Sequence, residues 1–132
     1  MKLLHHALAG LVLGWAFGYD LWLSMLFSIG PDIPQALILY PLLAYKHKRI
    51  ILPLDGDWKN FSKSAWSHLY FAPHSLLFVA ILNFSDFSAF FIGLYALHIL
   101  VDIPTHTGEW SIRLMWPASW KIEGFFDAWK RS

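Results

Sequence analysis

The 132-residue chain contains no cysteine, which excludes both a disulfide framework and a thiolate metal site. Charge is scarce as well: Asp, Glu, Lys and Arg together make up 14% of the residues, against about a quarter in an average soluble domain. The formal net charge is only +1, without the basic stripe that nucleic-acid binding requires, so no nucleic-acid partner is expected. There is no internal repeat, no low-complexity tract and no Gly-x-Ser-x-Gly nucleophile signal. What is abundant is apolar surface, with 57% of residues hydrophobic and 18% aromatic. A chain of this length forms one domain, residues 1–132.

Residues 3–19, 64–85 and 87–101 run without a single Asp, Glu, Lys or Arg. A membrane-spanning helix needs about 20 largely apolar residues. Residues 21–31 and 33–45 are apolar but shorter, and Gly30, Pro31, Pro34 and Pro41 interrupt them, as in broken or partly inserted helices. The pattern predicts an all-α, compact integral membrane bundle with about four membrane-embedded helices. The competing reading is an unusually greasy soluble all-α domain. The N-terminal run has one Lys, two histidines and no small-residue cleavage site, so it reads as a retained helix rather than a signal peptide.

Lys46, Lys48, Arg49, Lys59 and Lys63 gather in one polar loop, and Lys121, Lys130 and Arg131 gather at the C-terminus. Two apolar segments lie between these clusters and return the chain to the same side. Both clusters, and Lys2 if the earlier segments cross twice, are then cytoplasmic in a multi-pass inner-membrane protein. Turn signals in the loop fall at Pro53 and at Asp55-Gly56. In the tail, Ser119 is placed to cap a helix with Ile122, Phe125, Phe126 and Trp129 on one face. That is either an interfacial amphipathic helix on membrane lipid or a face packed on the protein's own helices.

Ionisable groups are costly at membrane depth, about 2.5–3.5 kcal/mol for an Asp on insertion scales, so each one in an apolar segment is a functional candidate that needs a partner. The chain places His5, His6, Asp32, His68, His74, His98, Asp102 and His106 in or beside apolar segments; only His47, between two lysines, reads as a solvated loop residue. His98 and Asp102 are four apart and share a helix face, and Pro104 ends the regular helix before His106 and Glu109. Taken singly, such a pair also fits an internal hydrogen bond, and Asp32 between two prolines also fits a turn or N-cap. His5 and His6 are adjacent and diverge on a helix, so at most one faces a common centre. His68 and His74 flank Pro73 and share a site only if the chain bends there. Together they form the imidazole and carboxylate set that suits zinc and other divalent transition metals, which supply the counter-charge an apolar interior lacks.

Four motifs in order carry a family resemblance: "HALAG" with His6, "GPDIPQ" with Asp32, "APHSLL" with His74 and Ser75, and "LHILVDIPTHTGEWSIRLMWP" with His98 and Asp102. The chain resembles the YdjM-like predicted membrane-bound, metal-dependent hydrolases, distant relatives of zinc phospholipase C and P1 nuclease. That family shows an early His-x-x-x-Gly, then Pro-Asp-Ile-Asp-His, His-Arg-Gly-x-Thr-His-Ser, and His-Ile-Leu-x-Asp-x-x-Thr-Pro followed by Leu-Trp-Pro. The likeness runs from His6 to Pro117. This chain departs at Asp32-Ile33-Pro34-Gln35, where two acidic or imidazole groups are missing, and at "SHLYFAPHS", where His68 is displaced and the Arg-Gly pair is gone.

The resemblance implies hydrolysis of a phosphoester, lipid-like or lipid-linked, in or near the bilayer, at a centre of two zinc or manganese ions that activate water. It implies His6, Asp32, His74, His98 and Asp102 as metal ligands, with His68 and His106 next in line. Asp32 or Glu109 would take the proton of the attacking water, and Ser75 and Thr105 would orient ligands. Two other classes remain open. The same groups fit a proton or ion relay in a small transport subunit, or a non-catalytic scaffold whose polar residues bond helix to helix.

Overall fold

The computed structural model describes residues 3–48 and 63–127; its regular elements are all helical, and among the described residues no strand forms beyond one isolated bridge. Helix α1 (Leu3–Phe17) is Leu- and Ala-rich and free of proline. It ends at Gly18, whose φ of 71° is easy only for glycine. Asp20 opens α2 (Leu21–Ile29) by accepting the Leu23 amide at 2.8 Å, and the two helices fold back on each other. The seam is made of small residues. A Cβ on Gly10 would lie 2.6 Å from the Ser24 carbonyl oxygen and from the Ser28 Cβ, and one on Gly14 would collide with the Ser24 side chain. Gly10 and Gly14 thus face Ser24 and Ser28 with a four-residue spacing that lets the two helices approach closely. His6 lies one turn further along the same stripe, and the buried residues of α1 are His6, Gly10 and Gly14.

Helix α2 passes into a 3-10 turn (Gly30–Asp32), a π-helical turn (Gln35–Leu39) and α3 (Tyr40–His47), with a bend of 62° between the two halves. Pro31 and Pro34 lack the amide hydrogens a continuous helix needs, so the break falls at Asp32. A second bent pair follows. A 3-10 turn (Ala65–Ser67) and α4 (His68–Phe71) meet α5 (Leu76–Leu82) at 61°. The break lies at Pro73, and Ser75 caps the new helix by accepting the Phe78 amide at 3.3 Å. The uncharged run 64–85 is therefore two half-helices. Helix α6 (Ala89–Asp102) is unbroken and is followed by 3-10 turns at Ile103–Thr105 and Gly108–Trp110. Tyr95 on α6 donates its hydroxyl to the Pro73 carbonyl at 2.9 Å, satisfying an acceptor that the break releases.

The C-terminal stretch corrects the sequence-based expectation. Residues 119–127 form no helix, and Trp129, Lys130 and Arg131 lie outside the described residues. The backbone amides of this stretch bond across the molecule instead of to their own preceding turn. Ile122 donates to Ile112 at 2.9 Å within an isolated antiparallel bridge, Gly124 to His106 at 2.9 Å and Phe125 to Pro104 at 3.0 Å. Gly124 sits so close to this floor that a Cβ would lie 2.6 Å from the Ile103 and His106 carbonyl oxygens. Of the polar loop, Arg49, Pro53, Asp55-Gly56 and Lys59 also fall outside the described residues.

The described residues expose many large apolar side chains while burying polar groups among apolar ones. Large apolar side chains face outward, among them Phe84 (93% exposed), Trp15 (77%) and Trp22 (72%). The interior holds polar groups alongside Phe71, Tyr95, Ile99 and Ile112: His6, Ser24, Ser28, Gln35, His74, Ser75, His98, Asp102, Thr105 and His106 are all buried. Among the described residues no single helix is long and apolar enough to cross a membrane, whereas the two bent pairs meet that requirement by length and composition. Helix α1 and the stretch Ala89–Thr105 are shorter apolar helices.

Candidate metal centre

Each of the structural breaks just described delivers one polar group to the same place. Asp32 sits at the first break, His74 at the second, and His98 and Asp102 occupy one face of the last two turns of α6. These four residues each offer one ligand atom, and all four atoms lie within 4.8 Å of one another. His98 Nε2 is 3.3 Å from Asp102 Oδ2 and 3.8 Å from Asp32 Oδ2; His74 Nε2 is 3.5 Å from Asp32 Oδ1 and 3.8 Å from Asp102 Oδ2.

The main chain sets the direction in which the two imidazoles face. His74 Nδ1 lies 2.8 Å from the Tyr70 carbonyl oxygen, and His98 Nδ1 lies 2.7 Å from the Ser28 carbonyl oxygen. A carbonyl only accepts, so in each ring Nδ1 carries the hydrogen and donates it. In the neutral ring Nε2 then presents a bare lone pair. Both Nε2 atoms are buried and make no hydrogen bond. Two lone pairs thus face two carboxylates across a space of a few ångströms, an arrangement that repels unless a metal cation or a proton lies between. Imidazole fixed through Nδ1 to a carbonyl is also the usual support of a metal-bound histidine.

The spacing is close to what an ion needs. Donors on a tetrahedral metal with bonds of about 2.0–2.2 Å stand about 3.3–3.6 Å apart; the four imidazole–carboxylate separations run from 3.3 to 3.8 Å, with the two imidazoles facing different oxygens of Asp32, and the whole set closes within 4.8 Å. Two carboxylates and two neutral imidazoles carry a formal charge of −2, which one divalent ion balances. This buried group of Asp and His residues can therefore hold a divalent metal. Asp32 is the donor that reaches the outside, with a side chain 17% exposed, while those of His74, His98 and Asp102 are at most 2% exposed.

The other candidates take different places. His6 is buried and His5 exposed, so His6 is the member of the pair that faces inward. Its Nε2 lies 3.1 Å from Asp102 Oδ1, and its ring stacks on His98 with centroids 3.6 Å apart and planes tilted by 18°. His106 is buried beside Asp102, with Nδ1 directed at the Asp102 main-chain oxygen at 2.9 Å and 3.9 Å from Oδ2. Burial pushes its imidazole below the ordinary histidine range, against the opposing pull of Asp102. His68 is exposed on the outer side of α4, where its Nδ1 accepts the Trp116 indole N–H at 3.0 Å, and it stands outside the four-residue group. Glu109 is half-buried in the Gly108–Trp110 turn and also stands outside that group. Thr105 bonds the Asp102 carbonyl at 3.1 Å, and Ser75 bonds the Ala72 carbonyl at 2.6 Å while capping α5.

Ser28 is a contributor that the sequence reading passes over. Its carbonyl holds His98, and its hydroxyl donates to the His6 carbonyl at 2.6 Å. The available signal was the Ser24-x-x-x-Ser28 spacing, which matches Gly10-x-x-x-Gly14. No family model, no curated protein and no solved structure matches this chain.

Proposed function

We propose that the chain is a membrane-embedded, metal-dependent hydrolase that acts on a phosphoester of a lipid or lipid-linked substrate. One observation carries the metal reading: the bare, buried Nε2 atoms of His74 and His98, each locked by a main-chain carbonyl to face Asp32 and Asp102. A donor set of two imidazoles and two carboxylates favours zinc, with manganese the next choice. The outward apolar side chains and inward polar ones support embedding in lipid. The phosphoester class rests on the resemblance to the YdjM-like hydrolases.

A bound divalent ion would polarise a phosphoryl oxygen and lower the pKa of a water molecule. The chain's own part is to position and to exclude. His74 and His98 hold their lone pairs in place through Tyr70 and Ser28, and Asp102 stays buried beneath them. Asp32 lies where the centre opens, so substrate and water approach past it; as the outermost donor it is the one that would yield its place to a water and then take that water's proton.

A second reading draws on the broken helices. Half-helices meeting at a polar centre are also a transporter device, and here two breaks converge at Asp32 and His74. Elemental analysis of detergent-purified chain, followed by a panel of phosphoesters, separates the two. The hydrolase reading expects tightly bound zinc or manganese and a turnover that a chelator abolishes and metal restores. Metal-free protein that carries a pH-dependent ion flux in vesicles would overturn it.

A further inference from the structure

We infer that His6 is not a metal ligand but the positioning residue that aims Asp102, and that the centre takes a single divalent ion through Asp32, His74, His98 and Asp102. This rests on the metal reading above and departs from the two-ion, His6-ligated centre implied by the family resemblance. The ring planes exclude His6 and His98 from sharing one ion. An imidazole lone pair lies in the plane of its ring, so a bound ion lies close to that plane at about 2.0–2.1 Å from the nitrogen. The His6 and His98 rings are stacked 3.6 Å apart and only 18° from parallel. Their planes run side by side, and an ion in one at bonding distance is out of the other. His74 and His98 are tilted by 62°, so their planes cross and one ion can lie in both.

Asp102 divides its two oxygens in the same way. Oδ2 faces His98 and His74, at 3.3 and 3.8 Å, whereas Oδ1 lies within hydrogen-bond distance of His6 Nε2 at 3.1 Å. His6 Nε2 therefore donates to the far oxygen and turns the near one toward the centre. The packing of α1 holds the donor in position: His6 is 2% exposed, its carbonyl is tied to the Ser28 hydroxyl, and Gly10 on the next turn presses against α2. A second ion would need a second convergent group of donors. Among the described residues there is one such group, and His6 and His106 stand outside it.

The test uses the full chain in detergent, loaded with Zn²⁺ for elemental analysis and with Co²⁺ for visible absorption. The expected result is one equivalent of metal in the wild type and none in His98→Ala. His6→Gln, which keeps an N–H donor near the position of Nε2, should hold one equivalent with close to wild-type affinity. His6→Leu should also hold one equivalent, with affinity weakened about 10- to 100-fold, the usual effect of losing a partner of a ligand. The Co²⁺ band positions should survive both changes, because the donor set is unchanged. Two equivalents in the wild type that fall to one in both His6 variants would overturn the inference. So would a Co²⁺ spectrum altered in His6→Gln, or wild-type affinity in His6→Leu. If His6→Leu does not fold, stoichiometry and spectrum of His6→Gln decide alone. Wild-type chain that binds no divalent ion fails at the first step, and that failure belongs to the metal reading itself.

Discussion

At the residue scale, the centre depends on which atom of each imidazole is committed. His74 and His98 give Nδ1 to carbonyls of other turns and leave Nε2 for the centre, so truncating either removes a donor that nothing nearby replaces. His74→Ala is expected to lose bound metal in elemental analysis while its helical circular dichroism is retained. Ser28→Ala is a milder change. It removes the bond from the hydroxyl to the His6 carbonyl but keeps the carbonyl that holds His98. It should lower stability by about 1 kcal/mol, read as a drop in Tm, with metal still bound. His98 and Asp102 were legible in the sequence because a helix places residues four apart on one face whatever surrounds it. The choice between His5 and His6 was not legible, because it depends on which face of α1 meets α2.

At the scale of elements, the two proline-induced breaks and the glycine seam bring the polar groups together. Gly10→Ala would drive a Cβ into the Ser24 backbone oxygen, which cannot swing aside as a side-chain tip can. Overpacking of this kind costs about 1–3 kcal/mol, and moving α1 outward should weaken metal binding as well. Gly93→Ala is the matched control: its Cβ meets nothing within 4 Å on α6, so thermal melts should show no loss and a gain of about 0.5–1 kcal/mol. Pro31 and Pro34 announced the first break, whereas the uncharged run 64–85 read as one long apolar segment, and its bend at Pro73 was legible only as a condition for His68 and His74 to meet. The tail did not follow its own amphipathic pattern, because Ile122, Gly124 and Phe125 found main-chain acceptors at residues far away in sequence. Gly124→Ala should release this strap, seen as faster cleavage or amide exchange after Pro117.

At the scale of the whole molecule, a metal held at this centre would be thermodynamically linked to folding. An ion that binds the folded chain alone adds about 2.7 kcal/mol when present at 100 times its Kd. Chelator should therefore lower Tm, and zinc should restore it. The sign with pH follows from the ligands, since a histidine must be deprotonated to bind. Metal affinity should fall as pH drops and the ligating imidazoles take up protons, and the metal-dependent part of Tm should fall with it. Lipid embedding predicts that brominated acyl chains quench the fluorescence of the outward-facing Trp15 and Trp22. Unchanged emission would argue against that placement.

The helical class, the apolar composition and the list of imidazole and carboxylate groups set in or beside apolar segments were readable from the chain alone, because composition and spacing along a helix are local properties. Pro31 and Pro34 also marked the first helix break, since proline cannot supply an amide hydrogen. Which of those groups meet, and which stay exposed, came from the packing. Asp32 and His74 arrive from two separate bends, His6 through a close helix seam, and His68 turns away to Trp116. Convergence depends on how whole elements pack against one another, and no local spacing encodes that.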